Sequence, residues 1–272
     1  MLETQVGYFT APPEWAPESQ NPFSSDGSYS GWSCFQIADA VGIGLFCHGK
    51  LDNGPFGMVL DRSLEKLEIR LADFLRYEAR HGRRTIVAAP PDVDIDSLVR
   101  HSLETYPPGS FLTPDQSRWL VHSTPLERWE DIAGCGELRS LADLRRSGKS
   151  IVSIGREQLT EPDDYAEYVM LAAFDHIGCE HVVASHKRGE IFTEEDVCYS
   201  PGVRLYFDGH HIIRDGLAVW DGIHFIKVHH KLPLEPYLLK SITAKDLDPK
   251  RNDWTPRTFL EAANEHFLSQ VR

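Results

Sequence analysis

The chain has no run approaching the roughly 18 apolar residues of a membrane-spanning helix. Its first residues lack the basic head and apolar core of a secretory signal, so none is expected. Its five cysteines, at 34, 47, 135, 179 and 198, are an odd number with no C-x-x-C pair. That argues against a disulfide framework and against a structural zinc site, and fits reduced thiols in a cytoplasmic protein. Positive charge is also short. Lys and Arg number 28 against 41 Asp and Glu, a net charge of −13, which speaks against a surface built to grip a nucleic-acid backbone. There is no Walker-type phosphate loop, no strand-linked G-x-G-x-x-G and no G-x-S-x-G elbow, which removes the common nucleotide and hydrolase signatures. No internal repeat or low-complexity tract is present.

What is present divides into four stretches. Residues 1–30 hold Pro12, Pro13, Pro17 and Pro22 among Ser, Asn and Gly, and are expected to form an irregular arm. Its aromatics, Tyr8, Phe9, Trp15, Phe23 and Tyr29, suggest that it lies on the domain. Residues 31–107 are expected to form a small α/β element. It has a strand at 43–48, a turn at Asp52-Asn53-Gly54-Pro55, a helix over 61–80 with the stripe Leu64, Leu67, Leu71, Phe74 and Leu75, a strand over 85–89 and a helix over 96–106. Residues 115–242 form the main domain. Strands are expected at 151–154, 181–185 and 203–207, and in quick succession at 212–213, 217–220 and 223–228, with 165–174 either helix or strand. Short strands with Gly turns imply an antiparallel or mixed sheet. Residues 243–272 end in a helix capped by Thr255, opened by Pro256 and buried along Phe259, Leu260, Ala263, Phe267 and Val271.

The main domain is organised around 119–136, WLVHSTPLERWEDIAGCG. Trp119 to Val121 reads as the end of a strand. Thr124 with Glu127 three residues on, and Pro125 between them, has the pattern of a capping box with proline at the first helical position. Leu126, Trp129, Ile132 and Ala133 follow at helical spacing, and Gly134 and Gly136 stop the helix. His122 and Ser123 are thus expected at a strand-to-helix corner, beside backbone N–H groups suited to an anion or a sugar-phosphate.

Other candidates are weaker. The chain has 13 histidines. On a strand over 223–230, His224 and His230 would share a face but lie about 20 Å apart, too far for one metal ion, so no metal site is expected. Gly31-Trp32-Ser33-Cys34-Phe35 offers a nucleophilic cysteine, with His48 nearby. The order is wrong for the papain pattern, and a buried core thiol is the favoured account.

The order of the motifs carries a resemblance. His122-Ser123-Thr124, then Trp129, Ile132 and Gly136, resembles the H-G-T…I…G opening of ADP-ribosyltransferase-like folds. The nearest pattern is the C-terminal domain of RNA 2′-phosphotransferases. VRLYFD at 203–208, GLAVWDGIHF at 216–225 and LPLEPYL at 232–238 are similar to the end of that domain. The match spans about residues 115–242. It implies an α+β protein: a C-terminal split, antiparallel-rich ADP-ribosyltransferase-like sandwich with a smaller α/β N-terminal element.

The implied activity is an NAD-dependent transferase of the ADP-ribosyltransferase or RNA 2′-phosphotransferase type. NAD would be co-substrate, and the acceptor (protein, nucleic acid or small molecule) is unassigned. The resemblance makes His122, Arg204 and Lys227 the catalytic candidates. His122 would bond a ribose hydroxyl of NAD, and Arg204 and Lys227 would hold phosphate. Ser123 and Thr124 would line the cofactor beside His122, and Tyr168 or Tyr206 would stack on nicotinamide. Nicotinamide would leave through an oxocarbenium-like transition state, which asks for rigid positioning and charge matching. The chain departs from the family in three places. No winged-helix N-terminal lobe is visible, the full Arg-His-Arg-Arg set is absent, and only Asp215 or Glu235 stands near the glutamate of protein-modifying members. The missing glutamate favours an alternative, a degenerate nucleotide- or protein-binding module on the same fold; a cysteine-dependent hydrolase using Cys34 is a third option that does not rest on the resemblance.

Overall fold

The computed structural model describes residues 6–12, 14–39, 54–149, 151 and 161–271, and the backbone of 45–48. Of the expected strand over 151–154, residues 152–154 lie outside the described residues, as do 52–53 of the turn before Gly54. The chain divides into two compact units. One comprises residues 1–111 with 155–165 and 220–224, and the other 112–154, 166–219 and 225–272.

The first unit is built on a mainly parallel sheet. Its strands are β1 (Tyr8–Thr10), β2 (Trp32–Ala38), β3 (Leu45–His48), β4 (Phe56–Asp61) and β5 (Arg84–Ala88), with helices α1 (Leu67–Arg80) and α2 (Ile95–Thr105). The spatial order is β1-β5-β2-β4-β3. Every pair is parallel except β3 with β4, which is antiparallel. The arm therefore contributes a strand, and Phe9 packs at 5.0 Å against both Phe23 and Trp32. The helix expected over 61–80 begins only at Leu67. Asp61 ends β4 and its Oδ1 accepts from the N–H and hydroxyl of Ser63, so the chain turns before it coils. The strand β4 itself was not expected. Its residues Phe56 to Leu60 are all buried, a continuous apolar run without the alternation that marks a half-exposed strand.

Asp73 on α1 is buried, and burial pushes its carboxyl up to about 6. The folded state then holds a proton more tightly than the unfolded chain does. The stability this gives is full below about pH 3.8 and is lost as pH rises through about 6, amounting to about 3 kcal/mol. Asp73→Asn is expected to remove that part of the pH dependence, read as urea midpoints between pH 4 and pH 8. An unchanged slope would show that Asp73 is already ionised in the folded protein.

The second unit holds α3 (Pro114–Arg118), β6 (Trp119–Thr124), α4 (Leu126–Cys135), β7 (Glu137–Arg139), α5 (Leu141–Arg146), β8 (Tyr168–Ala173), α6 (Gly178–Arg188), β9 (Val203–Asp208), α7 (Gly209–Arg214), β10 (Ala218–Val219), β11 (Ile226–His229), β12 (Lys231–Pro233), β13 (Leu238–Thr243), α8 (Ala244–Leu247) and α9 (Pro256–Gln270). Six of its strands form one sheet in the order β10-β11-β8-β6-β9-β13. Each neighbouring pair is antiparallel. The molecule is thus a mixed α+β protein with one mainly parallel and one antiparallel sheet. Among the described residues no helix is long and apolar enough to cross a membrane.

Three expectations fail here. Residues 181–185 lie inside helix α6 and Ile212-Ile213 inside helix α7. In both, a short apolar pair or run fits strand and helix alike, and the flanks decide. Gly189 in the left-handed conformation stops α6, and the Asp208 side chain accepts from the N–H of His211 to cap α7. The strand expected over 223–228 is instead Ile226–His229, so His224 lies off it.

One face of the antiparallel sheet carries Val121, Tyr206 and Ile242, which pack with Ala263 and Phe267 of α9. Tyr206 stacks on Phe267 at 4.3 Å, nearly parallel. Capping of α9 by Thr255 and Pro256 is as the pattern predicts, but Val271 is exposed.

Candidate functional site

The candidate site begins where the sheet opens. β6 pairs with β9 along six positions, from Trp119↔Asp208 to Thr124↔Val203. On its other side it pairs with β8 at only two, Leu120↔Ala173 and Val121↔Ala172. Beyond Val121 the two strands part, while β8 continues paired to β11 from Leu171 to Tyr168. His122 stands at this fork. Its Nδ1 is 3.0 Å from the carbonyl oxygen of Met170, which has no β6 partner.

That bond settles the chemistry of the ring. Burial holds the His122 imidazole below its ordinary pKa, with the Met170 bond working the other way, so the ring is neutral at pH 7. A carbonyl oxygen only accepts, so Nδ1 carries the hydrogen and Nε2 carries a lone pair. Nε2 has no hydrogen-bond partner among the described residues. His122 is therefore a fixed acceptor, suited to a hydroxyl donor rather than to an anion.

The other expected site residues separate into two groups. In an antiparallel ladder, paired residues share a face and successive residues alternate. Ser123 pairs with Arg204, so both leave the face opposite to that of His122. There Glu180 of α6, fully buried, gathers three donors. Ser123 Oγ donates to Oε1 at 2.6 Å, Arg204 Nη1 to Oε1 at 2.9 Å, and Tyr199 Oη to Oε2 at 2.7 Å. Arg204 also donates to the Phe174 carbonyl at 2.7 Å. Burial works against the Arg204 charge, but Glu180 keeps its pKa above the ordinary value. Burial, then Glu180, drives the Tyr199 phenol far up. The hydroxyl of Ser123 and the guanidinium of Arg204 are thus committed inside the fold. Neither is placed to take a cofactor or a phosphate.

Lys227 is also fully buried. It pairs with Met170 across β11 and β8, and its Nζ lies 5.2 Å from the Tyr168 ring centroid. β11 and β9 are separated by β8 and β6, so the backbones at Lys227 and Arg204 are about 14 Å apart at ~4.8 Å per strand. The two cations do not form one phosphate clamp. Tyr206 is spent on Phe267 and on Asn264 Oδ1, to which its hydroxyl donates at 2.9 Å. Tyr168 is half-buried between Lys227 and His229 on the forked strand.

The capping box expected at Thr124 is not formed. Thr124 is the last residue of β6, buried and paired with Val203, and α4 starts at Leu126 behind Pro125 with no side-chain cap. The ladder takes the threonine before the helix can use it. The apolar spacing of α4 does not mark a core face, since no residue of the helix is buried and Leu126 is exposed. Gly202, before β9, is required by this corner. A Cβ there would sit 2.0 Å from the Thr124 carbonyl oxygen, which is backbone and cannot step aside. Gly202→Ala is expected to cost about 2–3 kcal/mol, measured by chemical denaturation. A loss within error would mean that β6 and β9 slide freely.

Sequence reasoning missed Glu180 and Tyr199. The available signal is a lone acid, Glu180, directly before the segment 181–185 that the sequence predicts as a strand. Asp215 accepts from the Tyr237 hydroxyl at 2.8 Å and lies 3.3 Å from His211, so it is paired locally. In the first unit, Cys34 is buried within β2 and burial drives its thiol far above the ordinary range. A thiolate nucleophile at Cys34 is therefore not supported. No group of three or more His, Cys, Asp and Glu side chains able to hold a metal occurs among the described residues. The chain matches no protein-family model, no curated protein and no solved structure.

Proposed function

We propose that the chain is an NAD-using transferase on an ADP-ribosyltransferase-like fold, with its cleft at the fork between β6 and β8. The observation that carries this reading is the fixed acceptor Nε2 of His122 at a place where an antiparallel sheet splits. A ribose hydroxyl is the donor it suits. Tyr168, on the strand that leaves the fork, is the candidate to stack on the nicotinamide ring. Lys227 beneath Tyr168 acts through that ring rather than on phosphate. The acceptor of the transferred group is a hydroxyl, amine or phosphate of a partner not yet assigned.

The second reading is a module on the same fold that binds a nucleotide or a protein without turnover. It is favoured by the commitment of Arg204 to Glu180, which removes one of the two expected phosphate ligands. The two readings part on nicotinamide release.

The test is thermal shift with NAD, ADP-ribose and inorganic phosphate on wild type and His122→Ala. A ligand that binds only the folded state stabilises by about 2.7 kcal/mol at a hundredfold excess over its Kd. The expected result is a rise with NAD that disappears in a folded His122→Ala protein. Release of nicotinamide then selects the transferase, and binding without release selects the module. No shift with NAD or ADP-ribose at millimolar concentration sinks the NAD reading.

A further inference from the structure

The segment Trp220–His224 belongs to the first unit and carries an arrangement that the NAD reading does not use. Asp221 is fully buried. Its Oδ1 accepts the backbone N–H of Ile223 at 2.9 Å and of His224 at 2.7 Å. Its Oδ2 lies 2.8 Å from Nδ1 of His224. Two backbone donors pin the carboxylate and leave its second oxygen aimed at the imidazole. A carboxylate only accepts, so Nδ1 carries the hydrogen, and in the neutral form of the ring Nε2 carries a lone pair. Nε2 has no hydrogen-bond partner among the described residues, and the His224 side chain is 29% exposed.

The ring is also held sterically. It meets the edge of Tyr165 at 5.7 Å and 74°. Tyr165 is itself buried against Phe56 at 5.2 Å and Tyr77 at 5.7 Å. Tautomer, orientation and access are thus all fixed by the fold. A base held by a third group in this way is the half of a catalytic triad that remains when the nucleophile comes from outside.

We propose that Asp221 and His224 form a proton-accepting dyad, open at Nε2 to a small molecule that carries a hydroxyl group. In the step, the ligand O–H bond breaks, an N–H bond forms at Nε2 and the electron pair stays on the oxygen. The imidazolium is stabilised by the Asp221 carboxylate, which keeps its own charge. The dyad stands whether or not the second unit binds NAD.

The probe is diethyl pyrocarbonate at neutral pH, with sites mapped by mass spectrometry. Nε2 attacks a carbonyl carbon, a C–N bond forms, and ethyl carbonate leaves and decays to ethanol and carbon dioxide. The Nδ1 proton is lost to solvent and balances the one taken up by the ethanol. Asp221→Asn is the informative variant. The asparagine oxygen would take the two backbone N–H groups, and its NH2 would face Nδ1. That forces the hydrogen onto Nε2 and turns it into a donor. The expected result is modification of His224 in the wild type and a rate lower by about tenfold or more in Asp221→Asn, with other exposed histidines unchanged. Nitrogen NMR of the wild type supplies a reading that needs no variant, with His224 expected as the Nδ1–H tautomer. An Nε2–H tautomer, an unreactive His224, or equal rates in a folded Asp221→Asn protein would overturn the dyad.

Discussion

Arg204→Met is expected to lower the stability of the protein by about 3–5 kcal/mol, because it strands a charge. Glu180 is fully buried and keeps Ser123 and Tyr199 as donors, but a carboxylate without its cation in that place has no counter-charge. Adding Glu180→Gln to Arg204→Met restores neutrality: the amide oxygen still accepts from one hydroxyl, and the NH2 that replaces the other oxygen donates to the second hydroxyl, which turns to accept. The double variant is therefore expected to recover roughly half of the loss, about 1–3 kcal/mol. Urea unfolding of the three proteins decides it. Equal midpoints for Arg204→Met and wild type would mean that water reaches Glu180 and that the pair is not dry. A double variant no better than the single one would mean that the geometry of the guanidinium, not its charge, holds the site together.

Phe267→Ala is the second large effect, expected at about 3–5 kcal/mol. Phe267 is fully buried. It stacks on Tyr206 at 4.3 Å and meets Trp119 at 5.4 Å edge-on and Phe174 at 5.8 Å. Three aromatic rings would then face a void that rigid strands cannot close. Phe267→Leu keeps most of the volume and is expected to cost about 1–1.5 kcal/mol. Should alanine cost no more than leucine, α9 would be docked by its cap at Thr255 rather than by its buried face.

Periodicity made the long elements legible. α2 and α9 start within a residue of their expected positions because Asp94 and Thr255 cap them with side chains that nothing else claims. Thr124 shows the opposite case. It has the same local credentials, but its partner Val203 lies 79 positions away in the sequence, and the ladder takes it first. Val182 to Ser185 misled for a related reason. A four-residue window of small and branched apolar residues suits a buried strand or one turn of helix, and only Gly178 and Gly189 at the flanks discriminate.

The candidate site was legible in part. The motif at 122–124 drew notice to the right corner. It could not say that β6 loses β8 after Val121, because strand parting is a property of two distant segments. Nor could it say which cation is spent. Arg204 and Lys227 look alike in sequence, and only the burial of Glu180 opposite Arg204 marks that charge as structural.

The first unit is not contiguous in the chain, and this bears on how the protein can be made. Arg83 bonds Asp164 at 2.5 Å, and Arg70 Nη1 donates to the carbonyl of Gly222 at 2.7 Å, contacts that span 81 and 152 residues. During synthesis, the parallel sheet emerges from the ribosome long before these partners exist. The first unit must wait, incomplete, until residue 224 has been delivered, so a nascent chain stalled earlier exposes the surfaces that Tyr165 and Trp220 will cover. For the same reason no single proteolytic cut releases it whole. Cleavage after residue 111 leaves a fragment whose Arg83 keeps Glu78 but has no Asp164 to bind.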